Sequence, residues 1–167
     1  MTRLRRKPYE LGMKRILKIA ALLLILIVVG IQFVRPARTN PAVDESQTIF
    51  ARTQMTPEVA AILDRSCRDC HSNKTVWPWY TNVAPVSWWL SDHVHEGRRN
   101  LNFSDWSQLP LDRQDRKLRQ ICDEVQDGVM PLSSYTPMHP QARLSDQDKK
   151  TLCDWTEKER QRLAQGQ

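Results

Sequence analysis

Two thiols two residues apart, with a histidine directly after the second, stand at Cys67-Arg68-Asp69-Cys70-His71. This C-x-x-C-H spacing is the pattern that attaches a c-type haem. Each thiol can add across one vinyl group of the same porphyrin, giving two thioether bonds. The histidine beside the second sulfur is then held beneath the iron as its proximal ligand. Cysteines at this spacing also serve as thiol–disulfide redox sites or as half of a zinc site. The first needs a strand running into a helix, and no such strand is legible. The second needs two further ligands, and Cys122 and Cys153 form no second C-x-x-C. The adjacent histidine decides for one covalent haem c, with Cys67 and Cys70 on the macrocycle and His71 on the metal.

Around this motif apolar residues recur at helical rather than alternating spacing. Thr56 can cap a helix with Pro57 in its first position, and Val59, Ile62 and Leu63 make one apolar face ahead of Cys67. Pro85 opens a second helix through Trp88, Trp89, Leu90 and Val94, ending near Gly97. A third runs from about Leu111 to Asp127, with Leu118, Ile121, Cys122 and Val125 inward and Gly128 as its stop. Ser145 and Asp148 make a capping box for a last helix bearing Leu152, Trp155 and Leu163. The expected fold class is all-α, a small cytochrome c-like helical domain around one haem.

Residues Ile19 to Val34 form an apolar run broken only by Gly30 and Gln32. Extended back to Arg15, with Lys18 snorkelling, it reaches the roughly 20 residues that cross a bilayer. Arg3, Arg5, Arg6, Lys7, Lys14 and Arg15 precede it, with Glu10 the only acid, and only Arg35 and Arg38 follow closely. That asymmetry keeps the N-terminal side in the cytoplasm. No small-x-small cleavage site follows the run. The expectation is a single N-terminal transmembrane helix in a bacterial inner membrane. Residues 1–14 form its cytoplasmic basic end, 15–34 the anchor, 35–56 a tether and 57–167 a periplasmic haem domain. The net charge of +6 divides unevenly: through Arg38 there are nine Lys/Arg against one acid, and afterwards sixteen against eighteen. The basicity belongs to the terminal segment, and no nucleic-acid partner is expected.

Further short motifs follow in order. They are Cys67-x-x-Cys70-His71-Ser72-Asn73, Trp77-Pro78-Trp79-Tyr80, Ala84-Pro85-Val86-Ser87-Trp88 and Gly97-Arg98. Leu101-Asn102-Phe103-Ser104, Trp106, Gly128-x-Met130-Pro131, Tyr135, His139-Pro140, Ala142 and Trp155 complete the series. Over about residues 57 to 156 the chain resembles the haem-binding domain family of membrane-anchored bacterial proteins. The resemblance implies one covalent haem in a redox setting, and among Arg98, Arg99 and Asn102, which could each receive a haem propionate, its motif favours Arg98. Trp77, one of a group of five tryptophans with Trp79, Trp88, Trp89 and Trp106, is expected at the cofactor, since an indole offers apolar area to the porphyrin and an N–H to a propionate. Core packing is the alternative for each.

The sixth iron ligand decides what such a haem can do. Met130 is the first choice, in a loop after Gly128 stiffened by Pro131. A thioether there raises the reduction potential relative to two histidines, although methionine also fills cores. Met138, His139, His93 and His95 remain alternatives. His93 and His95 lie two apart on a helix and face different directions. Cys122 and Cys153 are left over and are expected to pair as a disulfide, stabilising the fold by about 3.5 kcal/mol. The leading expectation is a membrane-tethered monohaem electron carrier, working with membrane-embedded or periplasmic redox proteins and needing no side-chain acid or base. A haem enzyme or gas sensor with an open distal site, or an accessory subunit of a respiratory complex, is the alternative.

Overall fold

The computed structural model describes residues 8–166; Arg3, Arg5, Arg6 and Lys7 lie outside them. Every regular element among the described residues is helical. In chain order these are α1 (Pro8–Ile31), α2 (Ile49–Arg52), α3 (Pro57–Ser66), α4 (Arg68–His71), α5 (Val86–Asn100), α6 (Leu111–Gln126) and α7 (Asp146–Ala164). Short 3-10 turns lie between them.

Local chemistry sets the helix ends. Thr56 is extended, and its hydroxyl accepts from Val59 N–H at 3.3 Å, while Pro57 takes the first turn, where no donor is needed. Gly128, at φ +70°, follows α6 in the left-handed conformation that favours glycine. Ser145 and Asp148 form a reciprocal capping box at the start of α7, with Asp148 N–H on Ser145 Oγ at 3.1 Å and Ser145 N–H on the Asp148 carboxylate at 2.8 Å. Arg65 of α3 adds an ion pair to the same carboxylate at 2.7 Å. Replacing Ser145 by alanine is expected to lower stability by about 1 kcal/mol, read as a lower urea midpoint at unchanged slope.

The chain divides into two compact units. One comprises the residues up to Ala37 together with Pro78–Ser91. Within it the Gln32 carboxamide bonds Ala84 in both directions, accepting from its N–H at 2.9 Å and donating to its carbonyl at 3.2 Å. Trp88 Nε1 donates to Val34 O at 2.6 Å. The other unit comprises Arg38–Trp77 and the residues from Asp92 onward. Its core joins Val59, Ile62 and Leu63 of α3 to Phe103, Trp106, Leu118, Ile121, Val125, Leu152 and Trp155. A disulfide between Cys122 and Cys153 ties α6 to α7.

Two expectations are corrected. Among the described residues no helix is long and apolar enough to cross a membrane. The 24-residue α1 carries Lys14, Arg15 and Lys18 in its first half, which leaves Ile19 to Ile31 as its uninterrupted apolar part. At 1.5 Å per residue that stretch is about 20 Å long, short of a hydrocarbon core of about 30 Å. Beyond Ile31 the helix ends and Gln32 turns to Ala84. The transmembrane helix in the expected fold class is therefore not found, and single-pass placement in an inner membrane is not supported. The stretch 35–56, read as a tether, is also folded in part: α2 places Ile49 in the core, with Phe50 and Met55 packed against it. Buried Glu159 of α7 receives the Gln54 N–H at 3.0 Å.

Candidate functional site

At the end of α3 the chain breaks at Cys67 (φ −127°, ψ −35°), whose N–H still bonds Leu63 O at 3.0 Å. One new turn, α4, then winds from that residue: Cys70 and His71 both donate their N–H groups to Cys67 O, at 3.2 and 3.0 Å. Residues three apart in such a turn share a face, so Cys67 and Cys70 can serve one planar group. Both thiols are free and half-buried. Burial pushes Cys67 up to about 12, with Cys70 adding to the rise. Burial and then the Asp69 charge push Cys70 up to about 11, opposed by Arg98. Raised thiol values of this kind disfavour disulfide exchange, whose attacking species is the thiolate. Among the described residues no group of three or more His, Cys, Asp or Glu side chains could hold a metal ion.

His71 Nδ1 lies 3.0 Å from Leu101 O. With the proton on Nδ1, that bond leaves Nε2 as the unprotonated nitrogen, the usual outer-shell arrangement of a metal-binding histidine. Burial lowers the affinity of His71 for a second proton, against the opposing effect of the Leu101 carbonyl. The ring is therefore neutral, the form that binds metal.

The position of Leu101 is set by α5, which runs on through Gly97 to Asn100 instead of stopping near the glycine. Leu101 N–H closes onto Gly97 O at 2.8 Å. A Cβ built on Gly97 would lie 2.6 Å from Cys70 O, so only glycine lets α5 come this close to α4. Arg98, expected at a propionate, is a clasp: Nε donates to Ser72 O at 2.8 Å and Nη1 to Thr39 O at 2.8 Å. Its Nη2 donates to Asn40 Oδ1 at 2.9 Å and Thr75 Oγ1 at 2.7 Å.

Trp77 has a different standing. Its Nε1 is buried with no hydrogen-bond partner, a costly arrangement for a donor and one that a haem propionate would relieve. The free thiols and the His71 ring held through Nδ1 fit a haem, and the orphaned Trp77 donor is of the type that a propionate would satisfy.

Met130 is half-buried and packs against the core cluster, as Cys67 and Leu101 do. Its N–H is held by Glu124 O at 3.0 Å at the end of α6. His139 is stacked on Tyr135, with centroids 4.1 Å apart and planes at 10°. Met138 and His95 are exposed, and His93 is half-buried on α5.

Asp69, inside the motif, was not singled out by its sequence context, yet it is a junction. Its carboxylate accepts from Val76 N–H at 3.1 Å and from the Tyr135 hydroxyl at 2.9 Å, and its carbonyl from Thr75 Oγ1 at 2.6 Å. Tyr135 lies 66 positions away, beyond any local pattern. A separate cavity of about 160 Å³ is lined by Phe50, Asp64, Arg68, Lys74 and Phe103 among others, without either thiol or His71. It is smaller than the roughly 300–1,000 Å³ of ordinary ligand clefts.

The model of the haem-binding domain family matches residues 26–158 of the chain. No curated protein and no solved structure matches it.

Proposed function

Since the chain belongs to the haem-binding domain family, and is therefore a haem-binding protein, we propose that it is a monohaem c-type cytochrome relaying single electrons between redox proteins. One observation carries this reading: His71 Nδ1 on Leu101 O, on the turn that brings Cys67 and Cys70 to one face. When bound, haem supplies a one-electron iron couple. The residues supply everything else. Cys67 and Cys70 would hold the macrocycle, each through one thioether bond made by adding S–H across a vinyl group, with no leaving group and no net oxidation. His71 presents Nε2, and Leu101 O keeps its ring from rotating. Trp77 Nε1 is a donor for a propionate.

Met130 would supply the second protein ligand to the iron in this reading. Met138 and His95 are exposed, which disfavours them, while His93 and His139 are half-buried like Met130 and are the alternatives to it. A thioether and an imidazole on the same iron change little between oxidation states, which suits electron relay, and the thioether raises the potential.

The test is a spectrum of the full chain made together with c-type maturation machinery. The expected result is a covalent haem by pyridine haemochrome, low-spin in both oxidation states, with the weak far-red charge-transfer band of thioether-ligated ferric iron. Met130→Ala should abolish that band and lower the midpoint potential while leaving the covalent haem content unchanged. A high-spin ferric protein that binds cyanide readily would replace electron relay with ligand chemistry at an open site. A chain that matures without covalent haem would refute the assignment of Cys67 and Cys70.

A further inference from the structure

The segment after Met130 is not simply a loop. Tyr135 and Thr136 N–H groups both bond Leu132 O, at 2.9 and 3.2 Å, and Met138 and His139 N–H groups both bond Tyr135 O, at 3.3 and 3.2 Å. These turns make one compact piece between Pro131 and His139, with Ala142 buried just after it. The Tyr135 side chain joins this piece to the haem-attachment turn. Its ring lies flat on His139, and its hydroxyl reaches Asp69, the residue before Cys70.

We propose that Tyr135 is a positioning residue that latches the segment beginning at Met130 to the haem-attachment turn, and so holds Met130 on the iron. This rests on the reading of His71 and Met130 as the axial pair. The logic is mechanical. Met130 is anchored on its N-terminal side by Glu124 O at the end of α6. On its C-terminal side the first tie to α4 among the described contacts is the Tyr135 hydroxyl on Asp69. Asp69 is itself held by Val76 N–H and carries the chain directly into Cys70. A sulfur ligand between two fixed points returns to the metal after each excursion, whereas one anchored at a single point is open to replacement.

The test uses Tyr135→Phe in the haem-loaded full chain, because phenylalanine keeps the ring stack and removes only the hydroxyl. Asp69→Asn serves as an independent second variant, and Ser134→Ala, at an exposed neighbour, as a control. Two readouts are taken: imidazole binding to the ferric protein, and amide exchange over residues 132–139. A hydrogen bond to a charged group corresponds to a factor of about ten or more. Tyr135→Phe should therefore bind imidazole about tenfold more tightly, with exchange in 132–139 accelerated by a similar factor and α6 and α7 unaffected. Asp69→Asn should move both readouts the same way. Imidazole affinity and exchange both within twofold of the parent would overturn the proposal. So would faster exchange with unchanged imidazole affinity, because the latch would then hold the segment but not the ligand. A parent protein without thioether-ligated iron overturns the underlying axial assignment instead, and its spectrum alone identifies that case.

Discussion

Gly97→Ala should destabilise the protein and reduce the yield of covalently attached haem, although alanine is the better helix former. Gly97 lies inside α5, where the substitution alone would contribute up to about 1 kcal/mol in favour of folding. The new Cβ, however, would stand 2.6 Å from Cys70 O and 3.1 Å from Cys70 C. Those are backbone atoms of a one-turn helix fastened at Asp69, Ser72 and Thr75, so they cannot swing aside as a side-chain tip would. Forcing extra volume into such a contact costs typically 1–3 kcal/mol, and the steric effect exceeds the propensity gain. A loss of about 1–2 kcal/mol is expected, measured as a lower urea midpoint of the haem-free protein. The consequence for the site is larger than for the fold. Leu101, whose carbonyl orients His71, is bonded to Gly97 O, so separating α5 from α4 moves the His71 imidazole relative to both thiols. Pyridine haemochrome per mole of protein should fall accordingly. Gly30→Ala is the comparison, since a Cβ there meets nothing within 4 Å. If Gly97→Ala proves as stable as Gly30→Ala and takes up as much haem, the close approach has no functional role.

The difference between the two glycines shows where sequence reading reaches its limit. Caps are local: Thr56-Pro57, Gly128 and the Ser145–Asp148 box declare themselves within four residues, and the structure carries all three. Gly97 gives the same local signal as a helix stop, but its role is set by a backbone from elsewhere in the chain, and α5 continues past it. The four residues of α2 are too few to display a period, so Ile49 reads as linker although it is completely buried. The length of the apolar run at the N-terminus is legible, but not the point at which its helix ends: Ile31 is followed by Gln32, whose bonds go to Ala84. At the site, residue types pointed to Cys67, Cys70 and His71 because their spacing is the chemistry. Arg98 was readable as important but not as a clasp, since its four acceptors include backbone carbonyls that no sequence pattern reveals.

Removing the disulfide with the pair Cys122→Ala and Cys153→Ala is expected to have the largest effect on stability of any change outside the haem turn. The bond closes a separation of 31 residues between α6 and α7. Constraint of the unfolded chain by a loop of that size corresponds to about 3.5 kcal/mol. The other named link between these helices is weaker. Arg160 meets Asp115 at 2.8 Å, but both side chains are substantially exposed, and such pairs contribute about 0.2–1 kcal/mol. The buried apolar contacts of Leu118, Ile121, Leu152 and Trp155 remain in the variant. The folded state should therefore persist, with reduced resistance to unfolding. With a urea slope of about 1–3 kcal/mol/M, the midpoint should drop by more than about 1 M, and the parent should show the same drop in the presence of a thiol reductant. The site feels this change through α6, whose end holds Met130 N–H by Glu124 O. If Met130 holds the iron as proposed, its ligation should be lost in the variant at a lower temperature than in the parent. Reductant that leaves the parent midpoint unchanged would show instead that packing alone holds α6 against α7.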